Sequence, residues 1–398
     1  MKTRPSERTR NPSILDLLTR KMMILFPLLL ICSFSSVSGE IGELTWKHNL
    51  VTKKSIMENH LKVVSDPIFD KITSLVFITT YNPRGFRLVR LVAQRLSYVS
   101  PVWFNIIPIF EQNTKLRDIQ IDGAENINLD FIRALRKLNP DIKIVPRFKF
   151  EHMDSELWEL FSADVLLVQR TALKLADFCE EYGFEGLVLE IFNGLTALYR
   201  NDIHQMNTFE SLNQIGKFLR GRGLTAILAI PAPIAIRTTT SHMKWLLIPA
   251  EETTELLKNF DYIQIWTYSD VLIHNREYAS EQWFFDCMSL FQNSSKIMIG
   301  LNYYGTEMNL TEFDNGDYKS MKDITGKRYL ELLEDYHGVL EWNNYAKEHE
   351  LILKRNNTIA IFPSLTSLEW RMRVAREKNV AISFWDIGQG LDYFVNLV

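Results

Sequence analysis

Cysteine is nearly absent from this 398-residue chain: there are three, Cys32, Cys179 and Cys287. Cys32 lies in an N-terminal leader, so two remain, which excludes a disulfide framework as the source of stability. Both fall on apolar faces of predicted helices, where a free thiol behaves as a small hydrophobe. Charge of one sign is lacking too. Forty-five Lys and Arg oppose 48 Asp and Glu, for a net charge of −3, which gives no broad electrostatic case for nucleic acid. The cluster Arg371, Arg373, Arg376 and Lys378 reads as a solvated helix face. No Gly-x-Ser-x-Gly, no Gly-rich phosphate loop and no metal-ligand spacing is present, so neither cofactor nor metal is expected.

Long apolar runs are also missing, with one short exception. "MMILFPLLLI" (Met22–Ile31) follows Arg20-Lys21 and precedes "CSFSSVSG". It is too short to span a bilayer and Pro27 interrupts it. Ser36-Val37-Ser38 offers a small-x-small cleavage site, so residues 1–38 read as a signal peptide with a long n-region. A signal-anchor, or a start at Met22, is the alternative. The mature chain is then expected to be secreted or lysosomal, with no membrane span after cleavage. Three sequons, at Asn293, Asn309 and Asn356, suit that route.

What is present is a core-forming composition, 46% hydrophobic and 23% charged. After an irregular arm over residues 39–67, short apolar runs alternate with amphipathic helices. The predicted strands are Ser74–Thr80, Leu96–Phe104, Ile142–Phe148, Glu185–Phe192, Leu224–Ile230, Tyr262–Tyr268, Lys296–Tyr304 and Val380–Asp386. Continuous apolar runs suit strands buried on both faces. Ser280 is the predicted N-cap of one helix, and Thr366 to Glu369 the capping box of another. Eight β/α alternations predict an α/β fold, a (β/α)8 TIM barrel, with functional groups at the C-terminal strand ends. An open doubly wound sheet is disfavoured, because "GQGLDY" at Gly388 lacks the third glycine of the fingerprint and follows the last strand. The barrel is expected over 68–398. A small α+β insertion is expected between strands seven and eight, about 306–362, with a short strand Thr358–Phe362 and a polar helix around Trp342–Glu350.

The fourth run, "FEGLVLEIF", resembles the Asp-Gly-x-Asp-x-Asp-x-Glu motif of glycoside hydrolase family 18, the chitinases. "WTYSD" (Trp266–Asp270), "GLNYYG" (Gly300–Gly305) and "FWDIGQG" (Phe384–Gly390) resemble the sixth, seventh and eighth strand ends of that family. The likeness runs from about Lys71 to Val398 and is most specific in the last motif. "SPVWF", "VPRF", "NYYG" and "ISFWDIGQGLDYF" are similar to a divergent, chitinase-like branch. Carried over position by position, the motif falls on Glu185, Val188, Glu190 and Phe192. Phe192 stands where the resemblance implies the proton donor, and a phenyl ring has no proton to give. Family 18 chemistry is substrate-assisted, so one acid and one orienting carboxylate are needed. Glu190 lies one strand repeat deeper than Phe192, roughly 6–7 Å away. Ser269 replaces the aspartate expected after Tyr268, and "PRFKF" (Pro146–Phe150) replaces the third-strand Ser-x-Gly-Gly.

Glu190 reads as a barrel-core carboxylate needing a partner, with Arg147 and Tyr268 as candidates, since isolated buried charge is costly. Tyr81, Trp103, Trp266, Tyr304 and Trp385 fall at or just past strand ends, where aromatic faces can stack on pyranose rings or merely cap the barrel. The motif match makes Trp385 the expected sugar platform. Phe192, Tyr268, Asp270 and Asp386 complete the expected carbohydrate site, the two aspartates either bonding sugar hydroxyls or capping helices. The resemblance implies a catalytically inactive saccharide-binding protein. Its ligands would be chito-oligosaccharides, lipopolysaccharide or other microbial glycans, with a role in innate immunity and a sorting or scavenger receptor as partner. Two alternatives remain: a glycosidase with a relocated acid, Glu190 or Asp270, and an interaction or chaperone protein with a vestigial cleft.

Overall fold

The computed structural model describes residues 44–64, 71–111, 115–191, 202–237, 243–246, 248, 250–268, 280–292, 294–311, 321–335 and 337–398. The leader 1–38, Phe192, Ser269, Asp270 and Asn293 lie outside them. Eight parallel strand positions close into a barrel. They are Ser74–Thr79, Tyr98–Glu111, the split third position Lys143–Ile144 and Arg147–Phe150, Gly186–Glu190, Thr225–Pro231, Tyr262–Trp266, Ile297–Asn302 and Ala381–Trp385. The first strand pairs with both the eighth and the second, which completes the ring. The fold is therefore the (β/α)8 barrel that the alternation predicts.

Alternate residues point inward and pack together. Leu75, Phe77, Tyr98, Val145, Val188 and Ile227 meet Met298 and Ala381 on the axis. Burying each such side chain is worth about 1.5–3 kcal/mol. Gly186 is required at the start of the fourth strand, because a Cβ there would lie 2.0 Å from the Thr225 carbonyl oxygen. Cys179 and Cys287 are buried on the helices Val165–Tyr182 and Glu281–Ser289 and are not joined in a disulfide. Ser280 caps the latter helix, accepting from the Trp283 amide.

Several expectations are corrected. The second strand runs on to Glu111 and folds back as Lys115–Asp122, an antiparallel hairpin standing above the barrel. The insertion is a five-stranded antiparallel sheet. The helix expected around Trp342–Glu350 is instead a hairpin, Val339–Asn343 with Glu348–Leu353. Asn343 fixes its turn, accepting from the amides of Tyr345 and Ala346. The insertion's helix is Gly326–Leu333.

The arm before the first strand is not irregular throughout. It contains the helix Lys53–Asn59, opened by a reciprocal Thr52–Ser55 capping box. The last long helix, Leu365–Glu377, is capped one half-turn earlier than expected, by Ser364 and Ser367. Glu369 is thereby free of capping. It is fully buried, accepts from the amides of Thr45 and Trp46 and pairs with Arg373. Arg371 pairs with buried Glu348, so the basic cluster is not simply a solvated face.

Candidate functional site

At the C-terminal end of the barrel the inward parity of strands three and four sets Arg147, Lys149 and Glu190 facing the axis. Register pairs Arg147 with Val188 and Lys149 with Glu190. Arg147 Nη1 donates to Glu190 Oε2 at 3.1 Å, with only 12% and 5% of the two side chains exposed. The Arg147 guanidinium also lies 5.9 Å from the centre of the Trp385 ring, reaching across from the third strand to the eighth. Phe77 of the first strand meets the same ring at 5.2 Å. A cation against an indole face is worth up to about 2 kcal/mol when desolvated. Trp385 therefore sits half-buried between an apolar contact and a charged one.

Electrostatics at this depth follow burial. It raises the Glu190 pKa, against the pull of Arg147 and Lys149. Burial also lifts the Tyr268 phenol well above its ordinary value, helped by Tyr304 and by Glu190. The rings of Tyr268 and Tyr304 meet edge-on at 6.2 Å. Gly300 makes room for them: a Cβ there would lie 2.6 Å from the Ile265 carbonyl oxygen and 2.7 Å from Tyr268 Cε1. Deeper in the barrel, Gln264 Nε2 donates to Ser383 Oγ at 3.0 Å. Lys149 pairs with Glu151 at 2.6 Å, which keeps that ammonium at the mouth. Thus Glu190, Tyr268, Tyr304 and Trp385 are brought together around Arg147. Lys149 and Gln264 join them from inward positions that the strand parity carries but that no motif singled out. Among the described residues, no three His, Cys, Asp or Glu gather as a metal site.

Other expected residues lie elsewhere. Trp266 is half-buried at the end of the sixth strand, in register with Pro231. Tyr81 is 70% exposed at the rim, where its hydroxyl accepts from Gln389 Nε2. Trp103 is not at the cleft. It is buried against Phe104 and Phe184, and Phe104 in turn packs on Phe178 of the outer helix Val165–Tyr182. The cause is strand alternation: Val102 belongs to the inward set, so Trp103 one residue on faces outward, and the register irregularity that follows turns Phe104 the same way. Asp386 is not exposed to a ligand either. It is fully buried, at φ +41°, and accepts from Thr79 Oγ1, Asn82 Nδ2 and the Gly388 amide. Glu185 sits at the opposite end of its strand, bonded to Arg136 and to the Ile144 amide. Of the sequons, Asn356 is exposed, and Asn309 lies beside it, donating to the Asn356 carbonyl.

A closed barrel carrying an extra sheet between its last two strands, with aromatics at the mouth, defines a (β/α)8 fold with an inserted subdomain. No protein-family model matches the sequence. Solved structures do resemble it. A chitinase from Chromobacterium violaceum is 16% identical, over 82% of this chain and 98% of that one, with a TM-score of 0.63. The spore cortex-lytic enzyme SleL of Bacillus megaterium is 16% identical, over 83% and 74%, with a TM-score of 0.61. A family GH18 chitinase from Cycas revoluta, solved with allosamidin, is 13% identical over 81% and 97%, with a TM-score of 0.61. At these identities the likeness is one of fold.

Proposed function

We propose that this chain is a saccharide-binding protein on a chitinase-type barrel that does not hydrolyse its ligand. The observation that carries the reading is how the mouth's one motif carboxylate is engaged. Glu190 is ion-paired to Arg147 beneath the Trp385 ring, and the donor position of the motif is Phe192. A site with an aromatic platform, phenols and a neutralised ion pair binds a pyranose by stacking and hydrogen bonding. The motif's donor position, Phe192, supplies no acid for the leaving oxygen. The ligand class is chito-oligosaccharides, in keeping with the (GlcNAc)4 bound by a structurally similar Cycas revoluta chitinase mutant. Lipopolysaccharide and other microbial glycans are the wider class.

The motifs "SPVWF", "VPRF", "NYYG" and "ISFWDIGQGLDYF" place the finer resemblance with chitinase domain-containing protein 1. On that reading the chain follows the secretory route to the cell exterior or lysosome, is glycosylated at Asn293, Asn309 and Asn356, serves innate immune sensing and meets a sorting or scavenger receptor.

Calorimetric titration with chito-oligosaccharides, run beside a turnover assay, tests the proposal. Saturable heat without product, lost in Trp385→Ala, is the expected result. Turnover typical of a chitinase would refute it. A second reading, a glycosidase with a relocated acid, is favoured by the raised Glu190 pKa. It requires turnover that disappears in Glu190→Gln.

A further inference from the structure

The helix Val165–Tyr182 carries two apolar stripes where the barrel uses one. Leu167, Leu175, Ala176 and Cys179 are buried inward. Val165, Leu166 and Leu173 face outward and are 49%, 65% and 43% exposed. On the neighbouring helix Asp202–Gly221, Phe218 is also exposed. Between the two helices these side chains line a groove of about 930 Å³, floored by buried Val168 and Ala172. A contiguous exposed apolar patch on a helical wall marks an interaction site.

The groove's charge identifies what fits. Every charged residue lining it is basic, namely Arg170, Lys217 and Arg222, although the whole chain carries a net −3. Arg222 shares its charge with Asp177 and Glu180, which leaves exposed Arg170 and Lys217 to set the sign of the groove. We propose that this groove docks an amphipathic helix of a partner protein, apolar on one face and acidic along its flanks. The stretch Val165–Leu173 runs about 12 Å along the helix axis, and a furrow between two helices accepts the ridge of a third. Helix-in-groove recognition needs this combination of apolar floor and charged edges. Symmetric pairing of two copies on this face would set Arg170 and Lys217 against their own copies, with no acid among the residues lining the groove to offset them. A bilayer is a flat partner and would not reach Val168 and Ala172 at the groove floor. The site lies on the outer helical wall and stands whether or not the cleft binds sugar.

The test titrates the full chain with two short helical peptides that share one leucine stripe, one flanked by glutamates and one by lysines, followed by fluorescence anisotropy. Saturable binding of the glutamate peptide alone is expected, weakening with salt. The double variant Leu166→Glu, Leu173→Glu should lower affinity about tenfold or more, and Lys217→Glu should lower it by less. Thermal melting should be unchanged, since these side chains are exposed. No saturable binding of the glutamate peptide, equal binding of both peptides, or binding that survives the double variant overturns the proposal. So does binding to anionic phospholipid vesicles, or self-association in sedimentation, if the double variant abolishes it while the peptide does not bind.

Discussion

Leaving a carboxylate on a barrel axis without a counter-charge costs several kcal/mol, and at Glu190 Arg147 offsets that cost from 3.1 Å. The compensation is incomplete: burial still holds the Glu190 pKa above its ordinary value. The folded chain therefore keeps that proton to higher pH than the unfolded chain. Stability from this group is present in acid and falls as pH rises through the raised pKa. Replacing Arg147 with Met removes the counter-charge and pushes the pKa further up. Near neutral pH the variant should lose about 3–5 kcal/mol. At a pH low enough to protonate Glu190 in both proteins, it should lose far less. Urea unfolding at the two pH values measures this, and Glu190→Gln in the Arg147→Met background should recover most of the loss. An equal loss at both pH values would show that packing, not charge, is what Arg147 supplies.

Strands were the most legible elements, because a parallel strand buried on both faces must be a continuous apolar run, as "SLVFIT" and "AISFW" are. Lys115–Asp122 escaped notice because only three of its residues are apolar and polar or charged residues separate them all. The insertion hairpin reads as a helix in sequence because its residues suit either state, and its turn is fixed by the Asn343 side chain and by Arg371 bonding the Ala346 and Lys347 carbonyls from a distant helix. In the site, Trp385 was legible from its motif, but two other expectations failed. Asp386 lies past the strand end at φ +41°, and its carboxylate is taken up by Thr79, Asn82 and Gly388, while Trp103 follows inward Val102 by one residue and so faces outward. The Arg147–Glu190 pair needed the closed barrel before it could be placed.

Gly300 tests the same point between elements. An added methyl there meets the Ile265 carbonyl, which cannot yield, and the Tyr268 ring. Gly300→Ala should cost about 1–3 kcal/mol and weaken saccharide binding by displacing Tyr268. Gly221, in a helix with nothing within 4 Å of an added Cβ, is the control. Gly221→Ala should be neutral or stabilising by up to about 1 kcal/mol. Thermal melts that rank the two variants alike would count against the close approach of strands six and seven.

Across the described chain, the inserted sheet is clamped to the arm before the first strand and to the helix Leu365–Glu377 through two adjacent buried residues of opposite chemistry. Glu348 pairs with Arg371 at 3.4 Å. His349 shares a hydrogen bond with Ser364 Oγ at 2.7 Å, donates from Nε2 to the His48 carbonyl at 3.2 Å, and packs on Trp342, which stacks on His48. Burial, opposed by Arg371, pushes Glu348 up from 4.5 to about 7. Burial pushes His349 down from 6.5 to about 4.

The two shifts act on stability with opposite signs. Between about pH 4.5 and 7 the folded state holds the Glu348 proton that the unfolded state has released, so stability falls as pH rises. Between about pH 4 and 6.5 the unfolded state holds a His349 proton that the folded state lacks, so stability rises with pH. Each contribution is about 3 kcal/mol, and over their shared window they nearly cancel. The clamp should thus hold evenly across the pH range that the proposed secretory route traverses. His349→Gln unmasks the carboxyl, and the variant should lose about 3 kcal/mol between mild acid and neutrality. Glu348→Gln unmasks the imidazole and should gain stability over the same interval. Urea midpoints measured across pH for the parent and both variants decide the matter, since three parallel curves would mean that neither residue titrates as its burial requires.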